Sequence, residues 1–336
     1  MDIKAALSKL STRGDLTHEE MRAAMNTIMS GEATPAQTGA FLMGMRVKGE
    51  TVEEIAAAVS ILRDKMVCVD APDNAIDIVG TGGDGGGTLN ISTATALVVA
   101  AAGVPVAKHG NKALSSKSGS SEALQALGVK LDLDAAGISR CINEAGIGFM
   151  FAPNHHPAMK HVGPARVEMA VRTMFNLLGP QSNPAGVKHY LLGVFDREWV
   201  EPVAAALLAN GATSAWVVHG SDGLDEITTT GPTFVTAIEQ GKLRSFEITP
   251  EDAGLQRTTA DGLKGGDPEY NAAQMKLLFD GKHSPYRDIV LLNAAAALIV
   301  SGIADDLKSG VKLAADAIDS GKARDILSKL VEVSNG

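Results

Sequence analysis

Between residues 77 and 122 the chain reads DIVGTGGDGGGTLNISTATALVVAAAGVPVAKHGNKALSSKSGSSE. Six of the eight residues at 80–87 are glycine, a density that no helix or strand interior tolerates, because glycine loses the most conformational freedom on folding. Glycine is needed instead where the backbone takes positive φ, or where a ligand approaches with no Cβ in the way. The short apolar run at 76–79 reads as a strand, and Asn90-Ile91-Ser92-Thr93 opens an alanine-rich apolar segment that reads as a helix. Strand, glycine loop and helix start in succession leave free N–H groups at the positive end of a helix dipole, which is an anion site. The stretch reads as a phosphate cradle.

A second polar loop follows within one βα unit. The run at 104–107 ends in Lys108-His109-Gly110-Asn111-Lys112, and Ser115, Ser116, Ser118, Ser120 and Ser121 crowd the approach to a helix expected near Glu122. Two such loops at the ends of adjacent strands face one crevice, where open α/β sheets bind ligands. Residues 80–85 also satisfy GxGxxG, the dinucleotide fingerprint, which needs its last glycine in the first turn of a helix and an acidic residue about 20 positions on. Here the glycines run on to Gly87, the helix starts only near Ser92, and the next strand leads into Lys108. The bland alternative, a loop that merely turns, is weakened by the lysine and polar residues so close behind. A phosphate suits N–H groups, hydroxyls and lysine, although neither loop contains an arginine.

The rest of the chain supplies a frame for this site. At 336 residues and 45% hydrophobic composition it has ample core for one large or two smaller domains. A net charge of -9 and a pI near 5.4 argue against a general nucleic-acid or membrane-surface binder. Cys68 and Cys141 lie far apart with no CxxC, and read as reduced thiols of a cytoplasmic protein. The N-terminal residues have no apolar core of signal-peptide length, and the most apolar segment, 289–304, is too short for the ~20 residues that span a bilayer.

The first 66 residues read as helical. Thr17 with Glu20, Thr34 with Gln37 and Thr51 with Glu54 have capping-box spacing, and apolar residues follow each start at the helical period. Residues 69–74 break that pattern as a linker. From Ile76 onward, candidate strands at 76–79, 104–107, 147–151, 190–195 and 215–219 alternate with helical stretches such as 135–145 and 199–209, which favours a mostly parallel sheet. Runs at 234–239 and 242–248 around Gln240-Gly241 read as a hairpin, and the chain from Asp267 is helical. Arg166 and Arg172 flank 167–171 on what reads as one helix. His155, His156 and His161 lack a carboxylate or cysteine at zinc-ligand spacing, and no GxSxG, HExxH or P-loop GK[ST] is present.

In order and spacing, GTGGD at 80–84, NIST at 90–93, KHGN at 108–111 and SGS at 118–120 resemble the anthranilate phosphoribosyltransferases. The likeness continues through HPAMKHVGPAR at 156–166, RTMFNLLGP at 172–180, the Asp225-Glu226 pair and RDIVLLNA at 287–294, and so covers nearly the whole chain. It implies an α/β protein of nucleoside phosphorylase and phosphoribosyltransferase type. A small all-helical domain would occupy residues 1–70, with a returning segment near 166–186, and a large domain with a mostly parallel sheet would occupy 71–336. The implied reaction moves the 5-phosphoribosyl group of phosphoribosyl pyrophosphate to the amine of anthranilate, a step of tryptophan biosynthesis. A pyrimidine nucleoside phosphorylase and a noncatalytic nucleic-acid-binding relative are the alternatives on the same scaffold.

By the same resemblance the donor would be touched by Gly80, Gly83, Asp84, Thr88, Asn90, Ile91, Ser92, Thr93, Lys108, His109, Gly110, Asn111, Lys112, Ala113, Leu114, Ser115, Ser116 and Ser120. Arg166 would face the anthranilate carboxylate, with Asn111 and Gly80 nearby. Two Mg²⁺ ions are implied, one on Asp225 and Glu226 and one on Ser92, with no dedicated acid or base. Asp222 is the neighbour most easily mistaken for a ligand. A homodimer through the N-terminal helices is also implied. The chain departs from the family pattern at Lys112, where arginine is usual, at Ser121-Glu122, and at Ala170, where glycine is frequent.

Overall fold

Three threonines set the N-terminal helices. A computed structural model of the chain describes residues 2–83, 85–112 and 117–336. After α1 (Ile3–Ser11), helices α2 (His18–Met29), α3 (Pro35–Lys48) and α4 (Val52–Asp64) each start on a full capping box, at Thr17, Thr34 and Thr51. Glu54 of the third box is fully buried and also takes the Leu16 N–H and the Lys48 ammonium, tying the α1–α2 connection to α4.

The strands and helices then alternate as β1 (Ile76–Gly80), α5 (Ile91–Ala101), β2 (Val106–Gly110), α6 (Ser120–Ala126), α7 (Ala135–Ala145) and β3 (Ile147–Phe151). Three short helices follow, α8 (Ala152–His155), α9 (Gly163–Met169) and α10 (Phe175–Leu178). Next come β4 (His189–Gly193), α11 (Val200–Ala209) and β5 (Ser214–Gly220), and then a hairpin of β6 (Thr233–Glu239) and β7 (Lys242–Ile248). The chain finishes with α12 (Pro268–Phe279), α13 (Pro285–Val300), α14 (Leu307–Asp319) and α15 (Lys322–Asn335). The hairpin turn has positive φ at both Gln240 and Gly241, the backbone that matches the twist of its strands.

Among the described residues the sheet has seven strands in the order β3-β2-β1-β4-β5-β6-β7, the first five elements of that order running parallel and the hairpin antiparallel. The chain winds outward from β1 through β2 to β3, then returns to the other side of β1 for β4 and β5. That reversal opens a crevice beyond the carboxyl ends of β1 and β4. Side chains alternate across the sheet. Ile76, Ile78, Val106, Leu191 and Trp216 join one core with α5, α12, α13, α14 and α15. Val79, Ala107, Tyr190, Leu192 and Val217 join the other, with α1 to α4, α10 and α11. The segment after β3 thus packs against the N-terminal helices, α9 on α3 and α10 on α4. Among the described residues no helix is long and apolar enough to cross a membrane.

Most strands shift by one or two residues from the sequence reading, the one expected at 190–195 ending at Gly193, and two departures bear on the site. The expected strand at 104–107 lies instead at Val106–Gly110, because Pro105 has no N–H to give a ladder and Lys108, His109 and Gly110 continue in register with Phe149, Met150 and Phe151. Arg166 and Arg172 do not share a helix. α9 stops at Met169, and Ala170 takes the left-handed conformation with φ 52°.

Candidate active site

The floor of the crevice is built from residues with no side chain. Gly80 and Gly193 end β1 and β4 opposite one another. A Cβ on Gly80 would collide with the Asp225 carboxylate, and one on Gly193 with the Asp225 backbone. Asp225 is therefore seated across both strand ends, buried, with its Oδ2 accepting from the Gly82 N–H at 2.6 Å. In the loop itself Gly82, Gly83, Gly85 and Gly87 all have positive φ, between 56° and 75°, which L side chains rarely adopt.

Beyond the Ile76–Val106 pair, two side chains join β1 to β2 in opposite directions. Asp77 of β1 accepts the His109 N–H at 3.0 Å and the Asn183 amide at 2.7 Å. Lys108 of β2 sends its ammonium back to the Ile78 carbonyl at 2.5 Å and lies 3.3 Å from the Ser92 hydroxyl. Burial raises the Asp77 carboxyl to about 6 despite the nearby Lys108. Burial also lowers Lys108, against the pull of Asp77, Glu226 and Asp225. The ammonium and Ser92 are thus neighbours, with the Asp225 and Glu226 carboxylates near enough to act on the ammonium's charge. His109 points to the other side of the sheet, where its Nε2 meets that of His156 at 3.3 Å. Burial keeps His109 well below the usual imidazole range and lowers His156 to about 4.

The glycine loop is fastened at its exit. Leu89 N–H donates to the Leu263 carbonyl and Gly265 N–H to the Gly87 carbonyl, both at 2.9 Å. Asn90 then joins four elements. Its amide donates to the Ser118 carbonyl, its side-chain oxygen accepts from Asn271 of α12, and its backbone carbonyl accepts from the Tyr286 hydroxyl of α13. No side chain caps α5 among the described residues; Ile91 N–H donates to the Leu89 carbonyl, and the N–H groups of Ser92 and Thr93 are left for an anion.

Several expected residues sit elsewhere than a loop contact would suggest. Lys108 and His109 lie within β2 and are almost fully buried, whereas Asn111 and Lys112 continue into the loop as exposed residues. Lys112 stands 5.9 Å over the Phe151 ring. Gly110 is tight against Phe149, and Ser120 begins α6. Asp84, Ala113, Leu114, Ser115 and Ser116 lie outside the described residues. Arg166 is half-buried over the Phe175 ring, 5.4 Å from its centroid, and its guanidinium makes no hydrogen bond or ion pair to another described residue. Asp222 is spent on its own loop, accepting from the Thr228 and Thr230 hydroxyls. His155 is buried on the Val67 carbonyl, away from His161, which lies against Gly31.

Gly193, Asp77, Asn183, Asn271 and Tyr286 were not legible as site residues. Only Asp77, an ionisable residue inside an apolar strand, carried a signal that could have marked it.

A helical bundle on one face of a sheet, with a glycine loop and buried carboxylate at its switch point, defines a two-part transferase. The glycosyl transferase family models match accordingly, the helical bundle domain at residues 4–66 and the a/b domain at 72–324. A curated anthranilate phosphoribosyltransferase of Bradyrhizobium sp. is 61% identical over 334 residues, covering 99% of each chain. The solved anthranilate phosphoribosyltransferase of Thermus thermophilus superposes with a TM-score of 0.94 at 43% identity, over 98% of this chain and 99% of that one. The Saccharomyces cerevisiae enzyme, solved in complex with PRPP and Mg, gives 0.92 at 28% identity over 99% and 98%. The chain belongs to the anthranilate phosphoribosyltransferase family.

Proposed function

We infer that this chain transfers the 5-phosphoribosyl group of phosphoribosyl pyrophosphate to the amine of anthranilate, releasing pyrophosphate. The observation that carries this reading is the Asp225 carboxylate seated between Gly80, Gly82 and Gly193, within electrostatic reach of the buried Lys108. The donor diphosphate would lie over the glycine loop and the uncapped start of α5, held by Gly80, Gly83, Asp84, Thr88 and residues 90–93. Residues 108–116 and Ser120 would close over it from the second loop. Asp225, Glu226 and Ser92 offer hard oxygen donors, and a carboxylate pair with a hydroxyl fits Mg²⁺ rather than a softer metal. Two ions are proposed, one held by Asp225 and Glu226 and one by Ser92. When bound, Mg²⁺ neutralises charge on the departing pyrophosphate.

The amine of anthranilate is neutral near pH 7 and offers its lone pair without a strong base. What the chain must supply is orientation and stabilisation of the leaving group. Backbone N–H groups of the loop and the Lys108 ammonium face the growing negative charge. Arg166, with its guanidinium free of any described anion, would receive the acceptor's carboxylate in a planar, two-point contact, with Asn111 and Gly80 nearby. Closure of residues 1–70 and 166–186 over the rest of residues 71–336 would keep water from competing as nucleophile.

The chain is proposed to act in the cytoplasm as a homodimer. Met43 and Val47 of α3 and Val167 of the adjoining α9 expose apolar surface that a second copy would cover. Sedimentation at the monomer mass would remove the dimer. For the reaction itself, anthranilate fluorescence should fall when phosphoribosyl pyrophosphate and Mg²⁺ are added to purified protein, and unchanged fluorescence would overturn the reading.

A further inference from the structure

Neither loop of the cradle contains an arginine, yet the fold brings one to it from 89 residues away. Arg172 follows the left-handed Ala170 that ends α9. Its Nη2 donates to the Gly83 carbonyl at 2.5 Å, and its guanidinium carbon stands 4.5 Å from the centroid of the Phe195 ring. Gly83 itself takes positive φ, 75°, and a Cβ there would stand at van der Waals contact, 3.4 Å, from Arg172 Nε. Two residues on, Met174 is buried in the core that includes the N-terminal helices. Asp225 holds the Gly82 N–H from the sheet side at the same time. Consecutive residues of the glycine loop are therefore held from two distant segments, the N–H of one by a carboxylate and the carbonyl of the next by a guanidinium.

We propose that Arg172, stacked on Phe195, is a positioning residue that holds the glycine loop in its donor-binding shape. Glycine-rich backbone has many conformations open to it, and a ligand that must first order such a loop binds correspondingly more weakly. Fastening Gly83 removes part of that cost before the donor arrives. Arg172 acts through the loop and touches neither substrate. The inference rests on the reading that this loop binds a phosphoribosyl diphosphate.

The test combines steady-state kinetics for both substrates, calorimetric binding of phosphoribosyl pyrophosphate without acceptor, and thermal unfolding. Arg172→Ala should weaken donor binding and raise donor KM by roughly tenfold, the scale of a hydrogen bond to a charged group. The anthranilate KM and the Tm should stay near wild type, since the side chain is exposed. Arg172→Lys and Phe195→Leu should fall between, and Arg172→Ala with Phe195→Leu should be no worse than Arg172→Ala alone. Donor affinity unchanged in Arg172→Ala, an equal rise in both KM values, or additive losses in the double variant would each overturn the proposal. A wild-type chain that neither binds the donor nor consumes anthranilate would instead overturn the functional reading beneath it.

Discussion

Asp225 reaches the crevice because two residues far from it in sequence carry no side chain. The Asp225-Glu226 pair could be read directly from the chain, whereas Gly193 could not, since nothing near it shows that a later loop crosses the end of β4. The assignment of the pair to Mg²⁺ leads to a prediction. Asp225→Asn with Glu226→Gln should depress turnover and shift its dependence on Mg²⁺, and a titration of rate against Mg²⁺ that superposes on wild type would remove the pair from the metal. Arg166 is a different case, a half-buried cation resting on Phe175 with no described anion beside it. Burial lowers its pKa, a cost that an incoming carboxylate would offset. Arg166→Ala should raise the anthranilate KM far more than the donor KM, and equal changes would place Arg166 outside the acceptor site.

At the scale of elements, local chemistry was the better guide. The three threonine capping boxes form as spaced, because each depends on residues three positions apart. The hairpin at Gln240-Gly241 forms for the same reason. Arg166 and Arg172 misled, because the five residues between them look helical and only the tertiary path forces a turn at Ala170. That alanine bears a left-handed backbone, which costs a side-chain-bearing residue roughly 1–2 kcal/mol relative to glycine. Ala170→Gly should accordingly raise the unfolding free energy by up to about 1 kcal/mol, once the greater freedom of glycine in the unfolded chain is counted. Chemical denaturation that showed a loss would mean the turn is not under strain. β2 misled in the opposite sense, with the strand running on through Lys108 and His109 and directing one to each side of the sheet.

For the molecule as a whole, the sheet is the common wall of two cores, and the site lies where its winding reverses. The Asp77 carboxylate is buried within that wall, and its pKa rises from 3.8 to about 6 chiefly through loss of solvent. The folded protein therefore holds this proton over an interval in which the unfolded chain has released it. The associated stability is present in full below 3.8 and lost as pH climbs through about 6. Compared with Asp77→Asn, which cannot ionise, the wild type should lose on the order of 2 kcal/mol of relative stability between about pH 4 and about pH 7. Parallel denaturation curves for the two proteins over that range would sink the assignment.

From the linear chain came everything that depends on near neighbours: the capped helices, the glycine loop with its positive φ, the alternation of strand and helix, and the adjacent carboxylates. The resemblance in motif order added the family. What only the tertiary structure decided is which distant residues meet, Gly193 under Asp225, Asn183 on Asp77, Asn271 and Tyr286 on Asn90, and Arg172 on Gly83. Capping and turn preferences act within a few residues and so leave a pattern in sequence. Contacts across the crevice are set by strand order and packing, which bring together side chains whose separation along the chain carries no trace of their meeting.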